Sequence, residues 1–103
     1  MIETTAAVPT TNAGKYILSL CKRLHDRIDV NFHQRQCVIH FENALATLTP
    51  HKDQLMVTII AHTVPDVEHL QTVVADHLNS VASRGAPLRF DWRRSSNFAL
   101  HAL

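Results

Sequence analysis

The spacing of apolar residues changes twice along this chain, and those two changes fix most of what it can fold into. From Ala13 onward, Tyr16, Ile17, Leu20, Leu24 and Ile28 recur every three or four residues, the interval that lines one face of an α-helix. After Asp29 the interval drops to two. Cys37, Ile39 and Phe41 alternate with Val38 and His40, and Leu55, Val57, Ile59 and Ala61 alternate with Met56, Thr58, Ile60 and His62. Successive residues of a strand point to opposite sides, so each run has two distinct faces. From Val67 through Leu70, Val74, Leu78 and Val81 the helical interval returns.

Local signals place the element ends. Residues 3 to 9 are rich in Thr and Val and predict a short edge strand; Thr10, Thr11 and Asn12 then supply helix N-caps. The first helix is expected to run to about Arg27. Val30 and Phe32 begin a set of four short strands, with Leu45 to Leu48 between the two alternating runs. Turn chemistry lies at His33 to Gln36, at Glu42-Asn43 and at Thr49 to Asp53. Connections this short suit an antiparallel meander rather than parallel crossovers. Thr63 can accept a hydrogen bond from the Asp66 amide, and Pro65 is tolerated in a first turn, so a second helix opens there. Gly85 suits its C-cap and Pro87 forbids its continuation. Leu88, Phe90 and Trp92 alternate with Arg89, Asp91 and Arg93 as a last strand. Phe98, Leu100 and Leu103 in the tail are expected to dock as a helical turn or against a second copy.

The predicted order is β-α-β-β-β-β-α-β: an α+β, two-layer sandwich with a curved antiparallel sheet and two helices on one face. One domain is expected over residues 1–94, followed by a tail at 95–103. The order resembles the TATA-binding-protein-like, or helix-grip, architecture, which implies no function.

Composition narrows the function classes. The 103 residues are 46% hydrophobic and 18% charged, with two Gly and four Pro, which fits a folded domain and excludes low-complexity chains. Net charge is +1, without the basic excess that phosphate neutralisation demands, so nucleic acid is not the expected partner. No apolar run reaches the ~20 residues of a membrane helix. The start carries no secretory signal pattern. Two cysteines, Cys21 and Cys37, are too few for a disulfide framework and match no zinc spacing; they read as buried or half-buried thiols of a cytoplasmic protein. Eight histidines make net charge sensitive between about pH 5 and 7.

Tyr16-x-x-x-Leu20-Cys21-Lys22 on the first helix, Ile39-x-Phe41 in the meander, Val73 to Leu78 on the second helix, Arg84 and Trp92 together resemble the bacterial family catalogued as domain of unknown function 2218. The similarity spans about residues 4 to 94, and Val73-Val74-Ala75-Asp76-His77-Leu78 is its most specific part. The chain departs from the family pattern where that pattern has two histidines after Cys-Lys: here Arg23 and Asp26 stand there, with His25 between. The Gly-x-Cys usual before the third meander strand is replaced by Glu42-Asn43-Ala44-Leu45. No metal or redox role is carried over to those positions. Relatives accompany siderophore-interacting flavin reductases, so the resemblance implies an association with iron acquisition and a siderophore-reductase-type partner, without a mechanism.

Candidate site residues are few. His77 projects at the edge of the second helix's apolar stripe, beside Leu70 and Val74, where an imidazole faces either a groove or solvent. Cys21 and His25 are four apart on one helix, within reach of a thiolate–imidazole contact. Arg84, Arg89, Arg93 and Arg94 surround Trp92, and arginine forks suit oxyanions, although Asp91 partly neutralises them. His40 and His62 share the sheet face away from the helices at roughly 10 Å, too far for one zinc ion. That face also carries Val38, Met56 and Ile60, and with the outward Leu18 it predicts a homodimer. No nucleophile elbow or glycine-rich phosphate loop is present. The expectation is a non-enzymatic binding or accessory module with a small-molecule or protein partner. The competing expectation is an enzyme using His77 or the Cys21–His25 pair. The cofactor is unspecified, and no metal site is expected.

Overall fold

The structure, a computed structural model, describes residues 2–82 and 88–95. Along the chain lie β1 (Ile2–Pro9), α1 (Ala13–Leu24), β2 (Asp29–His33), β3 (Gln36–Phe41), β4 (Ala44–Pro50), β5 (Gln54–Ala61), α2 (Val64–Val81) and β6 (Arg93–Ser95). This is the predicted order. The six strands form one sheet in the order β2-β3-β4-β5-β1-β6, antiparallel at every pairing.

The meander is closed by short turns. His33 pairs with Gln36, leaving Gln34 and Arg35 as the loop with φ of 50° and 69°. Positive φ at both central positions is the mark of a type I′ turn, whose twist matches that of the flanking strands. Phe41 pairs with Ala44 around Glu42-Asn43. At the third turn the His51 amide donates to the Gln54 carbonyl at 2.9 Å.

Both helices cover the same side of the sheet. α1 packs on β2, β3, β4 and β5, α2 on β5 and β1, and the helices touch each other. Ile17, Leu20, Leu70, Val74 and Leu78 meet Val8, Ile39, Leu48, Leu55, Val57 and Ile59 in one core. Each such side chain contributes roughly 1.5–3 kcal/mol on burial. Thr4 is the buried polar residue of this core, and its hydroxyl accepts from Gln71 Nε2 at 2.9 Å. Thr63 caps α2 as predicted, accepting from the Asp66 amide at 3.2 Å. Asn12 occupies the α1 N-cap position without a side-chain cap; its amide instead donates to Thr10 Oγ1 at 3.1 Å.

Three expectations are corrected. β1 is not an edge strand: it lies between β5 and β6. The protection is partial, because β6 pairs only with Glu3, Thr4 and Thr5, so Ala6 to Pro9 have β5 alone as ladder partner. Regular α1 stops at Leu24 rather than about Arg27; Ile28 still donates to the Leu24 carbonyl at 2.9 Å. The last strand starts at Arg93, not Leu88. Leu88, Phe90 and Trp92 pack on the core while Arg89 and Asp91 are exposed, so their alternation reflects burial of one side without a ladder. The Leu88 amide is satisfied instead by Asn79 Oδ1 at 2.8 Å. The expected cap at Gly85, the stop at Pro87 and the tail residues Phe98, Leu100 and Leu103 lie outside the described residues.

Candidate functional site

The sheet end at the Glu42–Asn43 turn holds two adjoining concavities, and the cross-strand register explains them. On the helix-covered side, Phe41 is level with Ala44, Ala44 with Ala61, and Ala61 with Ile2. Two alanines between larger neighbours leave a notch that no side chain fills. The first turns of α2 roof it. Phe41, Ala44 and Leu70 form its apolar lining and Glu42, Asp66 and His69 its polar rim, around about 240 Å³. Over the end of the sheet a second hollow of about 420 Å³ is lined by Leu45, Ile60, Ala61 and His62, sharing Glu42, Asn43 and Ala44 with the first. The second volume lies in the range of small-molecule sites. Two carboxylates and two imidazoles around apolar floors suit a compact, partly apolar molecule carrying hydrogen-bond donors or positive charge. Among the described residues no group of three or more His, Cys, Asp or Glu is placed to hold a metal ion.

A third hollow, of about 260 Å³, opens on the uncovered sheet face between Thr5, Ala7, Met56, Asp91 and Arg93. Arg93 and Asp91 approach at 3.5 Å there, both well exposed, so the arginine's charge is partly matched. On the same face Asn31 Nδ2 and His40 Nε2 lie 3.0 Å apart.

The residues singled out in the sequence do not converge. His25 is exposed and its Nδ1 meets Asp26 Oδ1 at 2.9 Å, whereas Cys21 faces inward, 7% exposed. The expected Cys21–His25 pair is therefore not formed: α1 turns one residue into the core and the other out of it. His77 is half-buried on α2, beside the buried Val74 and Leu78. Trp92 stacks on Phe90 with ring centroids 5.6 Å apart and planes 14° from parallel, covering the core edge. Arg84 lies outside the described residues. None of the three hollows is lined by Cys21, His25, His77 or Trp92.

What the fold does bring together is Cys21 and Cys37, with sulfurs 2.6 Å apart at the seam between α1 and β3. Burial pushes both thiols above their ordinary pKa, which keeps them protonated at neutral pH while the seam is closed and argues against a catalytic nucleophile there. The sequence carries the signal for burial of each, since Cys21 stands four after Ile17 and three before Leu24 and Cys37 alternates with Ile39, but not for their meeting. The notch left no comparable signal, because it arises from cross-strand register.

No curated protein matches the chain. Among solved structures it is similar to the NMR structure of PA4090 from Pseudomonas aeruginosa, with 28% identity over 90% of this chain and 96% of that one and a TM-score of 0.78. The family model described as "Uncharacterized protein conserved in bacteria (DUF2218)" matches residues 5–93. With six antiparallel strands, two helices on one side and a family match over nearly its whole length, the chain belongs to this DUF2218 family.

Proposed function

We propose that this protein is a non-enzymatic binding module whose ligand seat is the notch at the Glu42–Asn43 end of the sheet. The Ala44–Ala61 pair carries the proposal. Two small residues in register hollow out both sides of the sheet end, beneath a rim of Glu42, Asp66, His62 and His69. The resemblance to relatives that accompany siderophore reductases gives the ligand class: an iron chelate or a siderophore, handled in the cytoplasm beside a reductase-type protein partner. A second copy is the proposed partner for the uncovered sheet face, where Val38, Leu45, Met56 and Ile60 are only half-buried.

Amide NMR titration with a ferric hydroxamate siderophore, haemin and Zn²⁺ tests the seat. Saturable shifts at Ala44, Ala61, His62 and His69 are expected for a chelate probe, and Ala44→Leu, which fills the notch, abolishes them. Silence towards all three probes, or binding that survives Ala44→Leu unchanged, refutes the seat. Light scattering that returns a strict monomer at micromolar concentration removes the dimer. The enzymatic alternative has lost its Cys21–His25 pair and rests on His77 alone; a His77→Ala variant that leaves every probe titration unchanged eliminates that residue too.

A further inference from the structure

We infer that Cys21 and Cys37 are a site of reversible oxidation, forming a disulfide that clasps α1 to the sheet independently of the ligand seat. Their sulfurs are 2.6 Å apart, against about 2.05 Å in a formed bond, so the backbone already holds the two side chains within disulfide reach. Rigid elements set that placement. Cys37 sits in β3 between Phe32 of β2 and Leu48 of β4, and Cys21 lies on the buried face of α1 with Leu20 and Leu24. Neither thiol is a loop residue that happens to approach.

The seam tolerates the oxidised form, because a disulfide carries no ionisable proton and is itself apolar. Burial disfavours the thiolate through which exchange proceeds, so oxidation is slow while the seam is closed and proceeds when the end of α1 opens. The oxidant class is a low-molecular-weight disulfide such as oxidised glutathione. Cys21 is the entry point: it is 7% exposed against 0% for Cys37, and it lies one turn from the end of α1, where helices fray. Cys21 loses its proton and its thiolate attacks one sulfur of the oxidant. That S–S bond breaks, and the departing thiolate takes up a proton. Cys37 then loses its proton and attacks the Cys21 sulfur, breaking the mixed disulfide and releasing the second small thiol. Two protein thiols are oxidised by two electrons, and one disulfide is reduced to two thiols.

The bond closes a loop of 16 residues in sequence separation, spanning the end of α1 and the β2–β3 hairpin. β2 is an edge strand with β3 as its one ladder partner among the described residues, so the clasp ties α1 to the neighbour of that edge. The residue type at these two positions, otherwise suited to any small apolar side chain, acquires a reason.

The experiment equilibrates the full-length protein in glutathione redox buffers, approached both from native protein and by refolding from denaturant, so that slow access to the seam does not decide the result. Expected in oxidising buffer are loss of both countable thiols, an intact mass lower by two hydrogens, and a peptide map joining the Cys21 and Cys37 fragments. A rise in Tm of roughly 10 °C or more, reversed by dithiothreitol, follows from the loop length. Cys21→Ala and Cys37→Ala each keep one thiol and lose the rise. If one variant does not fold, the other, with the reversal in the unmodified chain, carries the comparison. Two free thiols after oxidative refolding overturn the inference, as do mixed or intermolecular disulfides without the internal bond.

Discussion

The two sides of this sheet are made by the same strands, residue by residue, and they differ in almost everything but backbone. On the covered side Ile39, Ala46, Leu48, Leu55, Val57 and Ile59 are wholly excluded from solvent. On the uncovered side a row runs from Val38 through Thr47 and Thr58 to Thr5 and Arg93, and none of these side chains is fully buried. Among the described residues the covered side buries one polar side chain, Thr4, and answers it with Gln71. The uncovered side holds hydroxyls, an Asn–His contact and an ion pair, all at the solvent boundary. Stability is concentrated on one side, which leaves the other free to vary; the notch sits where the two meet.

Adjacent isoleucines give the sharpest way to break that contrast. Ile59 is 0% exposed, and Ile59→Ala is expected to cost about 2–5 kcal/mol in urea unfolding, from lost transfer energy and the cavity left behind. Ile60, its neighbour on the other face, is only half-buried, and Ile60→Ala is expected to cost about 1 kcal/mol or less. Equal costs would mean the uncovered face is covered in solution by something the isolated chain does not show, a second copy first of all. Next in size is Gln71→Ala. It leaves the Thr4 hydroxyl buried without its partner, an expected loss of about 1–3 kcal/mol. Thr5→Ala, one residue along and facing the other way, is expected to change stability by about 0.5 kcal/mol or less. The Gln71→Ala/Thr4→Val double variant recovers most of the loss if the penalty is desolvation.

Alkaline titration separates the faces by charge. In the reduced protein, burial raises the pKa of both Cys21 and Cys37. Above about pH 8.5 the unfolded chain therefore sheds thiol protons that the folded chain retains. The unfolded state then binds fewer protons, so stability is full below that pH and falls as pH rises, by at most about 1.4 kcal/mol per pH unit for each thiol. Cys37→Ala is expected to remove one thiol's share of that slope in unfolding curves recorded between pH 8 and 10. An unchanged slope would place the alkaline loss elsewhere.

The covered face was legible in the sequence because burial and backbone period coincide there. The stripes through Leu20 and Val74 and the alternation of Ile39 and Val57 specify elements, order and side together. Thr63 was legible for a related reason: an N-cap is local chemistry over three residues. What stayed hidden depends on pairing between segments. The start of the last strand was misplaced because Leu88, Phe90 and Trp92 alternate for burial while the ladder belongs to Arg93–Ser95. The Cys21–Cys37 contact needed helix position and strand register at once. The notch needed Ala44 and Ala61 to be level, which neither segment reveals alone.

The smallest effect tests how the outer edge of the sheet is held. Gln34 and Arg35 both adopt positive φ, and for a side-chain-bearing residue the left-handed region costs roughly 1–2 kcal/mol. Arg35→Gly relieves that strain at one position but loosens the unfolded chain, a counter-term of about 0.5–1 kcal/mol. The Arg35 guanidinium also reaches to 3.7 Å of where a Cβ on Gly14 would stand, placing positive charge beside the N-terminal turn of α1, where the helix dipole disfavours it. Both the strain and the charge favour glycine, so a net gain of about 0.5 kcal/mol is expected, read as a shift in urea midpoint with m unchanged. Amide exchange should slow in β2 and leave β5 unaltered, since β2 hangs on this turn and β5 is held from both sides. A loss of stability instead would show that the arginine's reach across to α1 fastens the hairpin, and that the edge of the sheet depends on a surface contact rather than on its turn.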